Sequence, residues 1–279
     1  MEHFNVELKE LYPFLGEDGR EPTLEVFVRH NLTEKHQQSP YRPAILMIPG
    51  GGYHLVSRRE SEPMALPFIT AGYNVFVLKY SVAPHHDPAQ IIEVAAASDV
   101  IRKNAEAWHV NTEKIAIMGF SAGGHLSAYY VNRYDCEAVR KYFPDSQGFP
   151  ACVLGYPVIT GDPAYTHEGS FKHLIGHENA TAAELEAFSC NRMVTPRTPP
   201  TFIWSTRTDQ TVPIMNSLLY AEALAENDVP FSLHIYPFGR HGLATVDLQT
   251  NLPDKLVGGA ALAQTWIGEA LRWLEVTLG

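Results

Sequence analysis

Cysteine is scarce in this chain, with three among 279 residues: Cys136, Cys152 and Cys190. An odd count at such wide spacings fits neither a disulfide framework nor a zinc site, so reduced, buried thiols are expected. Basic residues are also in short supply, 21 Lys and Arg against 31 Asp and Glu, which leaves a net charge of −10. A chain of that sign lacks the basic face that nucleic acid or an anionic membrane selects, while a neutral ligand is indifferent to it. No apolar run approaches the ~20 residues needed to cross a bilayer. The opening MEHFNVELKELYPF carries acids where a secretory leader carries bases. The expectation is a soluble cytoplasmic protein with no nucleic-acid or membrane partner.

What is present is an ordinary globular composition, 45% apolar and 19% charged. A single α/β domain spanning residues 1–279 accommodates it. The most informative stretch is Lys114–Ala128, KIAIMGFSAGGHLSA. It reads as a buried strand at Ile115–Met118, then Gly119-Phe120-Ser121-Ala122-Gly123, then a small-residue helix: a nucleophile elbow. A serine hydroxyl attacks well only when held clear of the surface beside a base and an oxyanion site, and a sharp strand-to-helix turn provides that. Gly119 and Gly123 suit a turn too tight for β-carbons. A chance G-x-S-x-G is expected roughly 0.1 times in a chain of this length.

Before the elbow, Leu24–His30 alternates like an edge strand, and Asn31–Pro43 reads as a loop. Ala44–Ile48 is a continuous apolar run, as in a parallel strand covered on both faces. It ends in Pro49-Gly50-Gly51-Gly52-Tyr53-His54, where successive glycines leave amide N–H groups open to a ligand, as an oxyanion hole requires. Arg58 and Glu60 are placed to pin this loop by a charge-assisted hydrogen bond, or simply to be solvated. A helix is expected over Glu60–Ala71, with Pro63 in its first turn. Then follow a strand at Asn74–Lys79, a loop at Tyr80–Pro88 holding His85 and His86, and a long helix at Ala89–Trp108.

After the elbow helix, Ala151–Tyr156 is a further strand, and residues 160–200 are rich in Gly, His, Thr and Pro, with a helical stretch at Ala182–Ser189. So long a segment between core strands reads as a cap-like insertion. His167, His173 and His177 within it lack cysteines or acids at zinc spacing and are expected to be capping or surface residues. The strand Thr201–Ser205 leads to Asp209, just beyond a strand end, where open α/β sheets place their chemistry. A helix from Ile214 to Asn227 and a strand at Phe231–Tyr236 follow, with His234 inside the strand and read as structural. His241 lies between glycines in the next loop. Residues 258–278 form a closing helix in which Leu262, Trp266, Ala270 and Leu274 recur every four positions. The order Ser121, Asp209, His241 is the nucleophile, acid, base order of α/β hydrolases.

PGGGYH, S-x-R-E, GFSAGGH, TDQTVP and GRHGL, in that order, resemble the α/β-hydrolase esterases of the acetyl esterase and feruloyl-esterase-like group. The resemblance runs from about Ala44 to the C-terminal helix. It implies an α/β-hydrolase fold, with a mostly parallel sheet, helices on both faces and a small cap. It also implies Ser121 as nucleophile, His241 as base, Asp209 as acid, and Gly51, Gly52 and Ala122 as oxyanion donors. Pro49 stands where the hormone-sensitive-lipase-like branch has a histidine, which favours the sugar-ester branch. The implied reaction is hydrolysis of short acyl esters, acetyl groups on xylan-derived or other oligosaccharides, with no cofactor and no metal. The expected partner is a small-molecule ester such as an acetylated oligosaccharide, and a homodimer stays open. An aryl formamidase, a small peptidase, or a hydrolase fold used only for binding share much of this pattern.

Overall fold

Alternate residues of the central strands face two different layers, and each layer is filled by its own helices. The computed structural model describes residues 1–30, 41–256 and 258–279. Among these the strands are β1 (Glu2–Glu7), β2 (Thr23–Val28), β3 (Arg42–Ile48), β4 (Asn74–Lys79), β5 (Val110–Phe120), β6 (Ala151–Gly155), β7 (Thr201–Thr206) and β8 (Phe231–Tyr236). They form one sheet in the order β1-β2-β4-β3-β5-β6-β7-β8. From β4 to β8 neighbours run parallel, while β1 and β2 are antiparallel additions.

The α-helices are α1 (Leu8–Leu11), α2 (Glu62–Thr70), α3 (Ala89–Lys103), α4 (Ala122–Arg133), α5 (Glu137–Arg140), α6 (Glu168–Ile175), α7 (Ala182–Ala187), α8 (Met215–Glu226) and α9 (Trp266–Leu278). In β3, Ala44, Leu46 and Ile48 join the core packed by α3, α4 and α8, whereas Ile45 and Met47 join the core packed by α2 and α9. A strand covered on both faces has no polar side to show, which is why its sequence is continuously apolar. Each fully buried Leu, Phe or Met there contributes about 1.5–3 kcal/mol relative to exposure.

Several elements differ from the sequence reading. The edge strand is β1, which the polar run EHFNVE hides, and β2 lies one place inside it. Arg42 and Pro43, at the end of the predicted loop, belong to β3, and its residues 31–40 lie outside the described residues. The helix expected to reach Trp108 stops at Lys103, where the Asn104 side chain and backbone N–H both donate to the Val100 carbonyl. Trp108 instead stacks on Phe76 with ring centroids 5.3 Å apart. Residues 260–265 form a 3-10 turn ahead of α9, and the change of helical pitch leaves Leu262 55% exposed while Trp266, Ala270 and Leu274 are fully buried. Among the described residues the cysteines are free, and no helix is long and apolar enough to cross a membrane.

Candidate active site

The elbow is as tight as its glycines demand. A β-carbon on Gly119 would stand 2.2 Å from the Gly123 carbonyl oxygen, and one on Gly123 would stand 2.1 Å from the Ile48 carbonyl oxygen. Gly123 therefore lets α4 press against the end of β3, bringing Ser121 beside the glycine loop. Ser121 itself sits at φ 53°, ψ −120°, a backbone conformation costing of order 1–3 kcal/mol. Three backbone hydrogen bonds hold it there: its N–H donates to Gly155 at 3.0 Å, and its carbonyl accepts from His125 and Val158 at 3.0 and 3.1 Å.

The three side chains picked out by the sequence are hydrogen-bonded in series. His241 Nδ1–H donates to Asp209 Oδ2 at 2.6 Å, and the Ser121 hydroxyl donates to His241 Nε2 at 2.7 Å. A carboxylate only accepts, so this pairing fixes the imidazole tautomer and leaves the Nε2 lone pair facing serine. Asp209, 5% exposed, is held in turn because its Oδ1 accepts from the amides of Thr211 and Val212 at 2.8 and 3.0 Å. The edge of Tyr156 backs the His241 ring, with centroids 5.1 Å apart and planes at 75°.

The glycine loop is fixed by its own carbonyls. The Gly50 carbonyl accepts from Ser57 N–H at 2.9 Å, and the Gly51 carbonyl accepts from His54 and Leu55 N–H at 3.0 and 3.1 Å. Across a trans peptide the N–H points opposite to the C=O, so the amides of Gly51 and Gly52 face away from the 54–57 turn. Both residues line the cleft that Ser121 and His241 line. Among the described residues, none accepts a hydrogen bond from the amides of Gly51, Gly52 or Ala122.

The supports of this arrangement were only partly visible in the sequence. Glu60, 3% exposed, accepts from the Gly50 amide at 2.8 Å and from the Tyr156 hydroxyl at 2.6 Å. Its neighbour Arg59, not Arg58, reaches the histidine loop, donating to the carbonyls of Gly242 and Thr250 at 2.9 and 3.1 Å, while Arg58 is exposed. His125 is buried below the loop: it accepts from the Tyr53 hydroxyl at Nδ1 and donates from Nε2 to the Phe188 carbonyl, both at 2.8 Å. Burial pushes its pKa down to about 4, so it is neutral at pH 7.

The cleft has a volume of ≈ 480 Å³, and the polar residues among those lining it include His54, His167, His173, Thr211, Arg59 and Arg240. His167 and His173 come from residues 160–200, where capping or surface roles were expected. His173 Nδ1–H donates to the Gly52 carbonyl at 2.9 Å, and its ring stacks on His54 with centroids 5.0 Å apart. His167 Nδ1 pairs with Ser170 Oγ at 2.8 Å. Its pKa is lowered, first by burial and then by the neighbouring His241. Apart from His241, the other histidines among the described residues lie outside the cleft. His86 donates to the Pro84 carbonyl in its loop, and His85 lies beside it. His177 pairs with Glu184, and His234 of β8 stacks on Phe202 of β7. Among the described residues no group of three or more His, Cys, Asp or Glu is placed to hold a metal ion.

The fold is that of an α/β hydrolase, and comparison with known proteins supports a carboxylic ester hydrolase of that class. The acetyl ester-xyloside bifunctional hydrolase of Caldicellulosiruptor lactoaceticus superimposes with a TM-score of 0.81 at 32% identity, over 98% of this chain and 96% of that one. Endo-1,4-beta-xylanase B of Butyrivibrio fibrisolvens is 38% identical over 229 residues, 79% of this chain and 35% of that protein. Acetylxylan esterase of Xylanibacter ruminicola is 32% identical over 210 residues, 74% of this chain and 42% of that protein. The matches thus cover well under half the length of these two curated relatives. The BD-FAE family model matches residues 31–224, and the chain belongs to that family.

Proposed function

We propose that the chain is a serine esterase that removes acetyl groups from xylan-derived oligosaccharides through Ser121, His241 and Asp209. The observation that carries the reading is the unbroken series from Asp209 through His241 to Ser121, at 2.6 and 2.7 Å, with Ser121 and His241 lining the cleft. His241 Nε2 takes the serine proton as Oγ attacks the ester carbonyl, and Asp209 stabilises the imidazolium that forms. The oxyanion accepts hydrogen bonds from the amides of Gly51, Gly52 and Ala122, each worth roughly 3 kcal/mol of barrier in such sites. The tetrahedral intermediate collapses, His241 returns the proton to the leaving alcohol, and water releases acetate from the acyl-enzyme by the same steps.

The sugar assignment draws on the polar side chains that reach the cleft, among them Thr211, Arg59 and Arg240, which can hydrogen-bond a hydroxyl-rich alcohol, and on the activities for which the acetylxylan esterase and the acetyl ester-xyloside hydrolase are named. On the same reading residues 1–279 are one α/β-hydrolase unit. Residues 160–200 are its cap, because they bring His167 and His173 to the cleft. The test is hydrolysis of p-nitrophenyl esters from acetate to octanoate, with acetate release from acetylated xylooligosaccharides alongside, by wild type and Ser121→Ala. Acetate preference and sugar deacetylation, both lost in the variant, support the reading. An inactive wild type, or an active variant, overturns it.

A further inference from the structure

We infer that His167 reads a free hydroxyl group beside the scissile ester, making this protein selective for partially acetylated polyols over esters of simple alcohols; the inference rests on the esterase reading above. His167 stands at the start of α6 and shares the cleft with Ser121 and His241. It faces the oxyanion loop: a β-carbon on Gly52 would lie 3.9 Å from its Cε1, an ordinary contact distance. One ring nitrogen is committed, since Nδ1 pairs with Ser170 Oγ and Ser170 is 1% exposed. Among the described residues the other, Nε2, has no hydrogen-bond partner. A ring nitrogen left open beside a reacting group is a recognition element once water is displaced, because leaving it unpaired then costs binding free energy.

The chemistry selects the partner. Ser170 can donate to Nδ1 or accept from it, so Nε2 is a donor in one tautomer and an acceptor in the other. A hydroxyl serves both, because it donates and accepts, whereas an ether or ester oxygen serves only one. The direction of the pKa shift fits this role. An imidazole kept neutral by burial adds no positive charge opposite the imidazolium that His241 becomes during acyl transfer.

The test compares two substrates in three proteins. One substrate is a methyl xyloside carrying a single acetyl group with its other hydroxyls free; the other is the same compound with those hydroxyls methylated. The readout is the ratio of kcat/KM for the first over the second, in wild type, His167→Leu and His167→Gln. The expected result is a wild-type ratio well above one that falls roughly 10- to 100-fold in His167→Leu, as for a lost hydrogen bond to a buried group. It recovers substantially in His167→Gln, whose amide again offers a donor or an acceptor. Misfolding scales both substrates alike and leaves the ratio unmoved. A ratio near one in the wild type, or an equal ratio in all three proteins, overturns the inference while leaving the esterase intact. A wild type that hydrolyses neither these compounds nor p-nitrophenyl acetate overturns the esterase reading itself, and this inference with it.

Discussion

The hydroxyl of Tyr156 donates to the buried carboxylate of Glu60 at 2.6 Å, joining residues 96 positions apart in the chain. Through that bond the loop that carries His241 is tied to the loop that carries the glycines, because Glu60 also accepts from Gly50 and the Tyr156 oxygen accepts from Ala244. Arg59 makes a second tie to the histidine loop, at Gly242 and Thr250. The short turn at 58–60 therefore sets the spacing between His241 and the amides of Gly51 and Gly52.

Tyr156→Phe removes the bridge and little else. Glu60 Oε1 and the Ala244 amide lose their partner in a buried place, so stability falls by about 1–3 kcal/mol in urea unfolding. Hydrolysis of p-nitrophenyl acetate falls roughly tenfold or more, because loop placement enters the barrier directly. A variant as stable and as active as wild type shows that the two loops hold their spacing without this bond.

The contrast between the elbow and this bridge explains what was readable in the sequence. Gly119, Ser121 and Gly123 act within one turn of chain, and their constraint is written as residue type at fixed spacing. Asp209 and His241 follow the ends of β7 and β8, so a strand legible in the sequence locates each of them. Tyr156 and Glu60 are far apart, and nothing in either neighbourhood names the other. His173 and His167 were equally opaque, because α6 begins amid loop-like residues and its approach to Gly52 is a property of the folded chain. Strand β1 was hidden for another reason: an edge strand with one partner needs little apolar surface.

Asp209→Asn distinguishes a tautomer-fixing role from mere filling of space. Oδ1 of Asp209 accepts from two backbone amides, at Thr211 and Val212. An asparagine keeps its oxygen there and turns its NH₂ toward His241, so Nδ1 must accept and Nε2 must carry the proton. Nε2–H cannot take the proton of Ser121. The expected result is a fall in kcat of roughly 10³–10⁴ with the fold intact, by analogy with other triads. A fall below about tenfold would sink the assignment of Asp209.

The glycine loop makes a paired prediction. A β-carbon on Gly51, at φ +128°, would stand 1.9 Å from the Leu55 carbonyl oxygen, whereas one on Gly52, at φ +65°, meets nothing closer than 3.9 Å. Gly51→Ala must move the loop, and the expected outcome is a loss of more than about 3 kcal/mol of stability together with activity. Gly52→Ala carries only the left-handed backbone cost of roughly 1–2 kcal/mol, with activity largely retained. Melting curves and ester turnover for both variants check the order, and a reversed order refutes the loop conformation.

Acid lability follows from His125. Its folded-state pKa is lowered to about 4 by burial, below the ordinary 6.5, so between those values the unfolded chain binds a proton that the folded chain does not. Stability therefore rises with pH in this window: the contribution is fully present above pH 6.5 and is lost as pH falls toward 4. The loss amounts to about 3 kcal/mol at roughly 1.4 kcal/mol per pKa unit. In His125→Gln the amide can still donate to the Phe188 carbonyl, and the titrating group is gone. The variant starts less stable at pH 7.5 by about 1 kcal/mol for the weakened Tyr53 pairing. The difference from wild type then shrinks and changes sign as pH falls below 6. Urea midpoints of both proteins at half-unit steps from pH 7.5 to 4 measure that difference, and a constant offset across the range would show that the His125 proton is not linked to folding.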